Sequence, residues 1–173
     1  MPTYTKIASN TVGSGGVASV TFSSITQTGY TDLVIKASVR TNRAGTGGDG
    51  LDLTFNGSAT AVYSDRFLRG DGASATSFTD TSAAAIYGTR ATTAGNTAST
   101  FSNTEFYIPN YTSANYKSVS IDGVTETNAS TAYAELVAGL WSNTAAITSV
   151  TIAGSVGTIQ EYSTFTLYGI SNA

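Results

Sequence analysis

Neither histidine nor cysteine occurs among the 173 residues. Their absence removes the commonest proton shuttle, the usual zinc ligands, the thiol nucleophile and every disulfide. Proline occurs only twice, and charged residues make up 11% of the chain, well under the roughly 25% of ordinary soluble proteins. With a hydrophobic fraction of 40%, the exterior must rely on hydroxyl and amide groups, or be covered in part by partner subunits. No run approaches the roughly 18 consecutive apolar residues of a membrane span, so no membrane role is expected. Residues 1 to 25 lack a basic start followed by an apolar run, which disfavours export by a host secretory route. The missing cysteine fits either redox compartment.

The net charge is −3, and the eight basic residues, Lys6, Lys36, Arg40, Arg43, Arg66, Arg69, Arg90 and Lys117, are scattered. Phosphate recognition needs a basic patch or stripe, so nucleic acid is not an expected ligand. A chain of this length buries about 70% of the surface its unfolded form exposes, enough for one core without disulfides or a structural metal. Nothing marks a second domain, and residues 1–173 are read as one. Its termini are expected to be tied down by a sheet or a neighbour.

The residues present are serine, threonine, glycine and alanine in short segments of alternating polarity. From Asp32 to Arg40, Leu33, Ile35, Ala37 and Val39 point one way and Asp32, Val34, Lys36, Ser38 and Arg40 the other. A period of two over such a length predicts a half-buried antiparallel strand. Leu51, Leu53 and Phe55 predict a short strand closed by the Asn56-Gly57 turn, since both residues tolerate positive φ. Tyr4 to Ser9 and Val17 to Ser23 read as an opening hairpin around Gly13-Ser14-Gly15-Gly16. Ala61 to Arg69 and Ser82 to Tyr87 are further strands, divided by a polar loop from Gly70 to Asp80. Thr104, Phe106 and Ile108 alternate up to Pro109, which ends the ladder. Tyr116 to Val124, Tyr133 to Trp141, Ile147 to Ile152 and Tyr162 to Ile170 complete the set. In Ala132 to Leu140 the apolar residues recur at steps of two, through Ala134, Leu136, Ala138 and Leu140, which favours strand over helix. The pattern predicts an all-β, two-sheet antiparallel β-sandwich, jelly-roll-like, with roughly ten strands.

Catalysis without histidine or cysteine would need paired carboxylates, a Ser-Lys dyad or a metal held by oxygen. Glu105, Glu126, Glu135 and Glu161 lie on or beside strands, but no spacing selects a pair, and outward positions on amphipathic strands explain them. The loop Gly45-Thr46-Gly47-Gly48-Asp49-Gly50 lacks the ending of a phosphate-binding loop and the alternating ligands of an EF-hand. Asp49, Asp52 and Asp71 leave room for a calcium site, against the simpler reading of a flexible loop. Arg69-Gly70-Asp71 spells an integrin-recognised tripeptide, though Gly72 makes a turn the simpler account. No enzyme activity and no cofactor are expected. Tyr107, Asn110, Tyr111 and Tyr116 form a candidate interface around Pro109. They could anchor a neighbouring subunit, pack internally or stack on a sugar.

Several blocks carry a resemblance: Met1-Pro-Thr-Tyr-Thr-Lys-Ile-Ala-Ser, Tyr30-Thr-Asp-Leu-Val-Ile-Lys-Ala-Ser, Leu53-Thr-Phe-Asn-Gly57, Phe106-Tyr-Ile-Pro-Asn-Tyr111, Gly139-Leu-Trp-Ser-Asn-Thr144 and Tyr162-Ser-Thr-Phe-Thr-Leu-Tyr-Gly-Ile170. Together they resemble small β-sandwich virion proteins of tailed bacteriophages, especially marine and cyanobacterial ones; residues 69–98 match poorly. The resemblance implies a virion location and a structural role, with the major capsid protein or tail proteins as partners. It implies a capsid decoration or cement protein, commonly a homotrimer, or alternatively a tail-fibre or receptor-binding accessory that contacts host glycans. It carries over no catalytic residue.

Overall fold

A computed structural model describes residues 3–129 and 132–171. Among the described residues there are twelve strands and no helix: β1 (Thr3–Thr11), β2 (Ser19–Phe22), β3 (Asp32–Val39), β4 (Asp49–Phe55), β5 (Tyr63–Gly70), β6 (Ala75–Ala83), β7 (Ile86–Ala91), β8 (Ser102–Ile108), β9 (Lys117–Thr125), β10 (Tyr133–Trp141), β11 (Val150–Gly154) and β12 (Thr164–Ser171). They form an eight-stranded sheet, β1-β12-β3-β8-β9-β10-β5-β6, and a four-stranded sheet, β2-β11-β4-β7. All named pairings are antiparallel.

The pairing is nested. β1 pairs with β12, β2 with β11, β3 with β8 and β4 with β7. Two sheets wound in this way, with β1-β12-β3-β8 in one and β2-β11-β4-β7 in the other, are a jelly roll. The remaining strands arrive as two insertions, β5-β6 between β4 and β7, and β9-β10 between β8 and β11. Both join the large sheet beyond β8 as a four-stranded annex.

This order corrects the expected opening hairpin. β1 and β2 lie in different sheets, so the glycine-rich connection crosses the sandwich instead of reversing the chain beside itself. The polar segment after Gly70 is also strand, because β6 occupies residues 75–83 and pairs with β5. It lies at the edge of the annex with nearly every residue exposed, so it shows no buried face to betray it. The Asn56-Gly57 turn is present, with φ of 53° and 67°, but it carries the chain from the small sheet into the large one. Asn56 also clamps residues 146–149: its Oδ1 accepts from Thr148 N (2.8 Å) and Ser149 N (3.1 Å), and its Nδ2 donates to Ala146 O (2.8 Å). Of the termini, Met1, Pro2, Asn172 and Ala173 lie outside the described residues, while Thr3 pairs with Ser171.

One hydrophobic cluster draws on both sheets. The large sheet contributes Leu33, Ile35, Phe106, Ile121 and Phe165, and the small sheet Leu51, Leu53, Phe55 and Ile152, all buried. Side chains of this size stabilise by roughly 1.5–3 kcal/mol each when fully buried. At one end, Trp141 sits 5.4 Å from the Phe55 ring and stacks on Tyr63. The Tyr63 hydroxyl accepts from Phe55 N (2.9 Å) and donates to Ser58 O (3.0 Å), so its polar end is satisfied inside the core.

β7 lies directly on the annex, and two glycines permit it. A Cβ on Gly123 would stand 2.4 Å from Thr89 Oγ1, and one on Gly139 would stand 2.7 Å from Ile86 Cγ2. Thr89 is itself held by Thr104 through a buried hydroxyl pair at 2.8 Å, so it has little room to yield. Gly123→Ala and Gly139→Ala are each expected to cost about 1–3 kcal/mol by overpacking, lowering the melting temperature by roughly 2–4 °C per kcal/mol. Gly70, where an added Cβ meets nothing within 4 Å, should tolerate alanine; equal melting temperatures for all three variants would refute the close-approach account.

Candidate functional site

Asp32 begins β3 and is buried. Its Oδ1 accepts from Asn110 N (2.9 Å) and its Oδ2 from the Tyr107 hydroxyl (3.3 Å). Burial and the nearby Asp32 carboxylate push the Tyr107 phenol above its ordinary value, which keeps it a donor. Asn110 takes φ of 49°, turning the chain after Pro109 so that the next side chain re-enters the core. Tyr111 is therefore fully buried, with its hydroxyl donating to Thr26 O. That corrects its place in the expected interface. Tyr107, Asn110 and Tyr116 remain on the surface, with Tyr116 59% exposed.

Tyr107 lines a groove of about 280 Å³ on the outer face of the large sheet, with Pro109, Ser118, Ser120, Leu136 and Ala138. Leu136 and Ala138 also border an adjoining groove that reaches Leu68 and Phe78. The alternation in β10 places Ala134, Leu136 and Ala138 outward, and Glu135, Val137, Gly139 and Trp141 inward. Leu136 pairs with Leu68 of β5, and Ala134 with Val124 of β9. Leu68, Leu136 and Val124 are 54%, 55% and 51% exposed. Sequence reasoning used the Leu136 series to assign a strand but did not recognise it as surface; nothing in the alternation alone says which side faces water.

The candidate carboxylate chemistry disperses. Glu105 lies on the outer face and pairs with Lys36 at 2.8 Å, an exposed contact worth at most about 1 kcal/mol. Glu135 is buried on the inner face. Its Oε2 accepts from Arg90 N at 2.5 Å, and its Oε1 lies 3.5 Å from Arg90 Nε. That second contact is ionic without hydrogen-bond geometry, since neither atom has a hydrogen-bond partner. Asp65 does similar work nearby, accepting from Tyr87 N at 2.9 Å. Glu126 accepts from Asn128 N within its own turn. Glu105 and Glu135, the two considered for acid–base work, lie on opposite faces of the large sheet.

The aspartates considered for calcium are engaged, Asp49 and Asp52 by the same turn at residues 155–157 and Asp71 by its own turn. Asp49 is buried and accepts from Val156 N (3.2 Å) and Gly157 N (2.9 Å). Asp52 accepts from Ser155 Oγ (2.5 Å). Asp71 closes the β5-β6 turn by accepting from Ala73 N (2.9 Å) and Ser74 N (2.7 Å). Among the described residues no group of three or more such ligands gathers to hold a metal. In the Arg69-Gly70-Asp71 tripeptide, the Arg69 guanidinium lies over the rings of Phe67, Phe78 and Tyr133 at 5.2–5.9 Å, so both charges are occupied within the fold. The glycine loop is held as well, with Thr93 Oγ1 donating to Gly45 O (2.5 Å) and Asn96 Nδ2 to Thr46 O (3.1 Å).

Half of the cations that seemed scattered over the surface bind backbone carbonyls. Arg40 donates to Asn96 O, Thr97 O and Thr100 O at 2.9–3.2 Å, and Arg43 and Arg90 donate to Gly48 O and Gly47 O. Lys117 is 1% exposed. Its Nζ donates to Ser113 O, Asn115 O and Ala145 O, each at 2.7 Å, and lies 5.6 Å from the Trp141 ring. All three ammonium donors are used, which ties the β8-β9 loop to the β10-β11 loop.

Comparison with known protein families, characterised proteins and solved structures returns no match for this chain. The geometry defines an all-β sandwich in which Asp49, Asp65, Glu135 and Lys117 are bound to backbone groups and the exposed Leu68, Val124 and Leu136 share one sheet face.

Lys117→Met removes a buried cation and strands three carbonyls; the expected loss is about 2–4 kcal/mol, read from urea unfolding, and no loss would show that the clamp carries no weight. The pH dependence has an unusual sign. Burial raises the carboxyls of Asp52, Asp65, Asp122 and Glu135 above their ordinary values, while the backbone donors of Ser74 and Ala73 hold Asp71 below its own. A raised group binds its proton more tightly when folded, so its contribution to stability grows as pH falls through the window just above the ordinary carboxylate range. The melting temperature is expected to hold or rise between about pH 7.5 and pH 5; a fall of several degrees would contradict this balance.

Proposed function

We propose that this chain is a structural protein of a bacteriophage virion, a decoration or cement protein that stabilises the capsid shell through contacts with the major capsid protein and with its own copies. The observation that supports it most is the division of labour in the fold. Groups that could do chemistry, Asp49, Asp65, Glu135 and Lys117, are buried and engaged, whereas the exposed face of the annex offers Leu68, Val124 and Leu136. Such a surface acts by covering and being covered. The sparse charge of the sequence agrees, as does its resemblance to small virion proteins. On this reading the protein is not an enzyme.

A tail-fibre or receptor-binding role is the second reading. It draws on the Tyr107 groove, where an aromatic ring stands beside the hydroxyls of Ser118 and Ser120, a combination suited to a sugar ring.

Copy number and position separate the two. Electron microscopy and quantitative mass spectrometry of purified particles should find the protein in hundreds of copies on the shell, and particles lacking it should release their genome at lower temperature. A dozen copies confined to the tail would overturn the decoration reading, and binding of isolated protein to host surface glycan would then establish the second.

A further inference from the structure

The outer face of the annex carries few charges. Apart from the Lys36–Glu105 pair at its border on β3 and β8, the residues of β9, β10 and β5 on this side are Ser118, Ser120, Asp122 and Val124, then Ala134, Leu136, Ala138 and Leu140, then Ser64, Arg66, Leu68 and Gly70. Asp122 and Arg66 are the charged members of this group, they are opposite in sign, and neither makes an ion pair among the described residues.

Their positions in the register are informative. Arg66 lies opposite Ala138, and Asp122 lies opposite Leu136 on the other side of β10. The midpoint between the two charges therefore falls on β10, between Leu136 and Ala138. A twofold axis through that point, lying in the plane of the face and perpendicular to the line joining the charges, sets each Arg66 against the Asp122 of a second copy. It also lays Leu68 and Leu136 onto the same apolar rows of that copy. The strands of the two sheets then cross steeply, as in orthogonal sheet packing. A single patch that satisfies itself about a dyad is the requirement for an isologous dimer.

We infer that the outer face of the annex is a self-association surface, occupied by a second copy of this chain in a twofold dimer held by Leu68, Leu136 and reciprocal Arg66–Asp122 pairs. Four strands about 4.8 Å apart and roughly seven residues long give about 450 Å² of flat area per copy, more with side-chain relief. That is little more than half of the roughly 800 Å² per partner used by stable complexes, which makes this a weak, reversible dimer. A capsid-protein partner would have no reason to place its charges at the dyad-related positions. The trimer implied by the resemblance joins unlike surfaces and does not call for one patch that satisfies its own charges.

Sedimentation of the intact chain from low to high micromolar concentration tests the inference without reference to the virion. The wild type should move from its 17.7 kDa protomer mass to twice that value. Leu136→Asp should remain monomeric. Arg66→Glu and Asp122→Arg should each weaken association by about tenfold or more by placing like charges together, and the two combined should restore it to within about threefold of wild type. A chain that stays monomeric throughout, a trimer unaffected by these changes, or a double exchange that fails to recover association would each overturn the proposal. Because Arg66, Leu136 and Asp122 are not core residues, circular dichroism of every variant should match the parent; a variant that associates less only because it unfolds would count against the inference.

Discussion

The structure depends on how the free edge of β7 is closed. A sandwich with eight strands in one sheet and four in the other leaves the last strand of the small sheet with unpaired backbone donors near its core. An exposed edge of this kind invites pairing with another chain. Here Asp65 and Glu135 reach across from the annex and accept the N–H groups of Tyr87 and Arg90, while Thr125 donates to Arg90 O at 2.6 Å. Carboxylates thus stand in for a missing strand. The arrangement requires β7 to lie close to β9 and β10, hence the glycines beneath it, and the burial that comes with it pushes the carboxyls of Asp65 and Glu135 up. What first read as candidate acid–base chemistry is the seal of the sandwich.

The same economy governs the cations. Long basic side chains usually hold a protein in solution, yet Arg40 and Lys117 gather carbonyls from loops that make few backbone pairs of their own. Spending charge internally leaves the exterior to hydroxyls, amides and a few aliphatic residues. Such an exterior suits a protein whose surface lies against other proteins, and the proposed structural role follows from that division of labour more than from any single residue.

The alternation of β8 and β9 was legible because each has one face on a continuous core and the other toward solvent; on β3 the outward Val34 is buried as well, and only Lys36 is exposed. β6 was not, because no strand of the small sheet covers it and selection for an apolar face is relaxed. The β1-β2 connection misled for a different reason: a glycine-rich loop reports that the chain changes direction, but not whether it stays within its sheet. At the candidate site, Tyr107 and Tyr116 were found by aromatic content, and Tyr111 was grouped with them because sequence proximity cannot reveal the left-handed Asn110 that sends it inward. Glu135 looked like a surface residue because charge in an alternating strand normally marks the wet side. On β10 the leucines and alanines face out, and the inner face is kept by Val137, Trp141, a glycine and a glutamate bound to Arg90.

The nested winding also orders events in time. Sequence-local partners exist for β5-β6 and for β8, β9 and β10, so the annex contains the contacts with the shortest loops to close. The jelly roll proper cannot complete until its ends meet, since residue 3 lies opposite residue 171, and closing so long a loop is slow. On a ribosome the annex strands emerge while β11 and β12 are still unmade, leaving β1 and β2 without any partner and β3 and β4 with one neighbour each still missing. During that interval the apolar rows of the nascent core are open to other chains, so the hazard of misassociation belongs to synthesis and not to the finished sandwich.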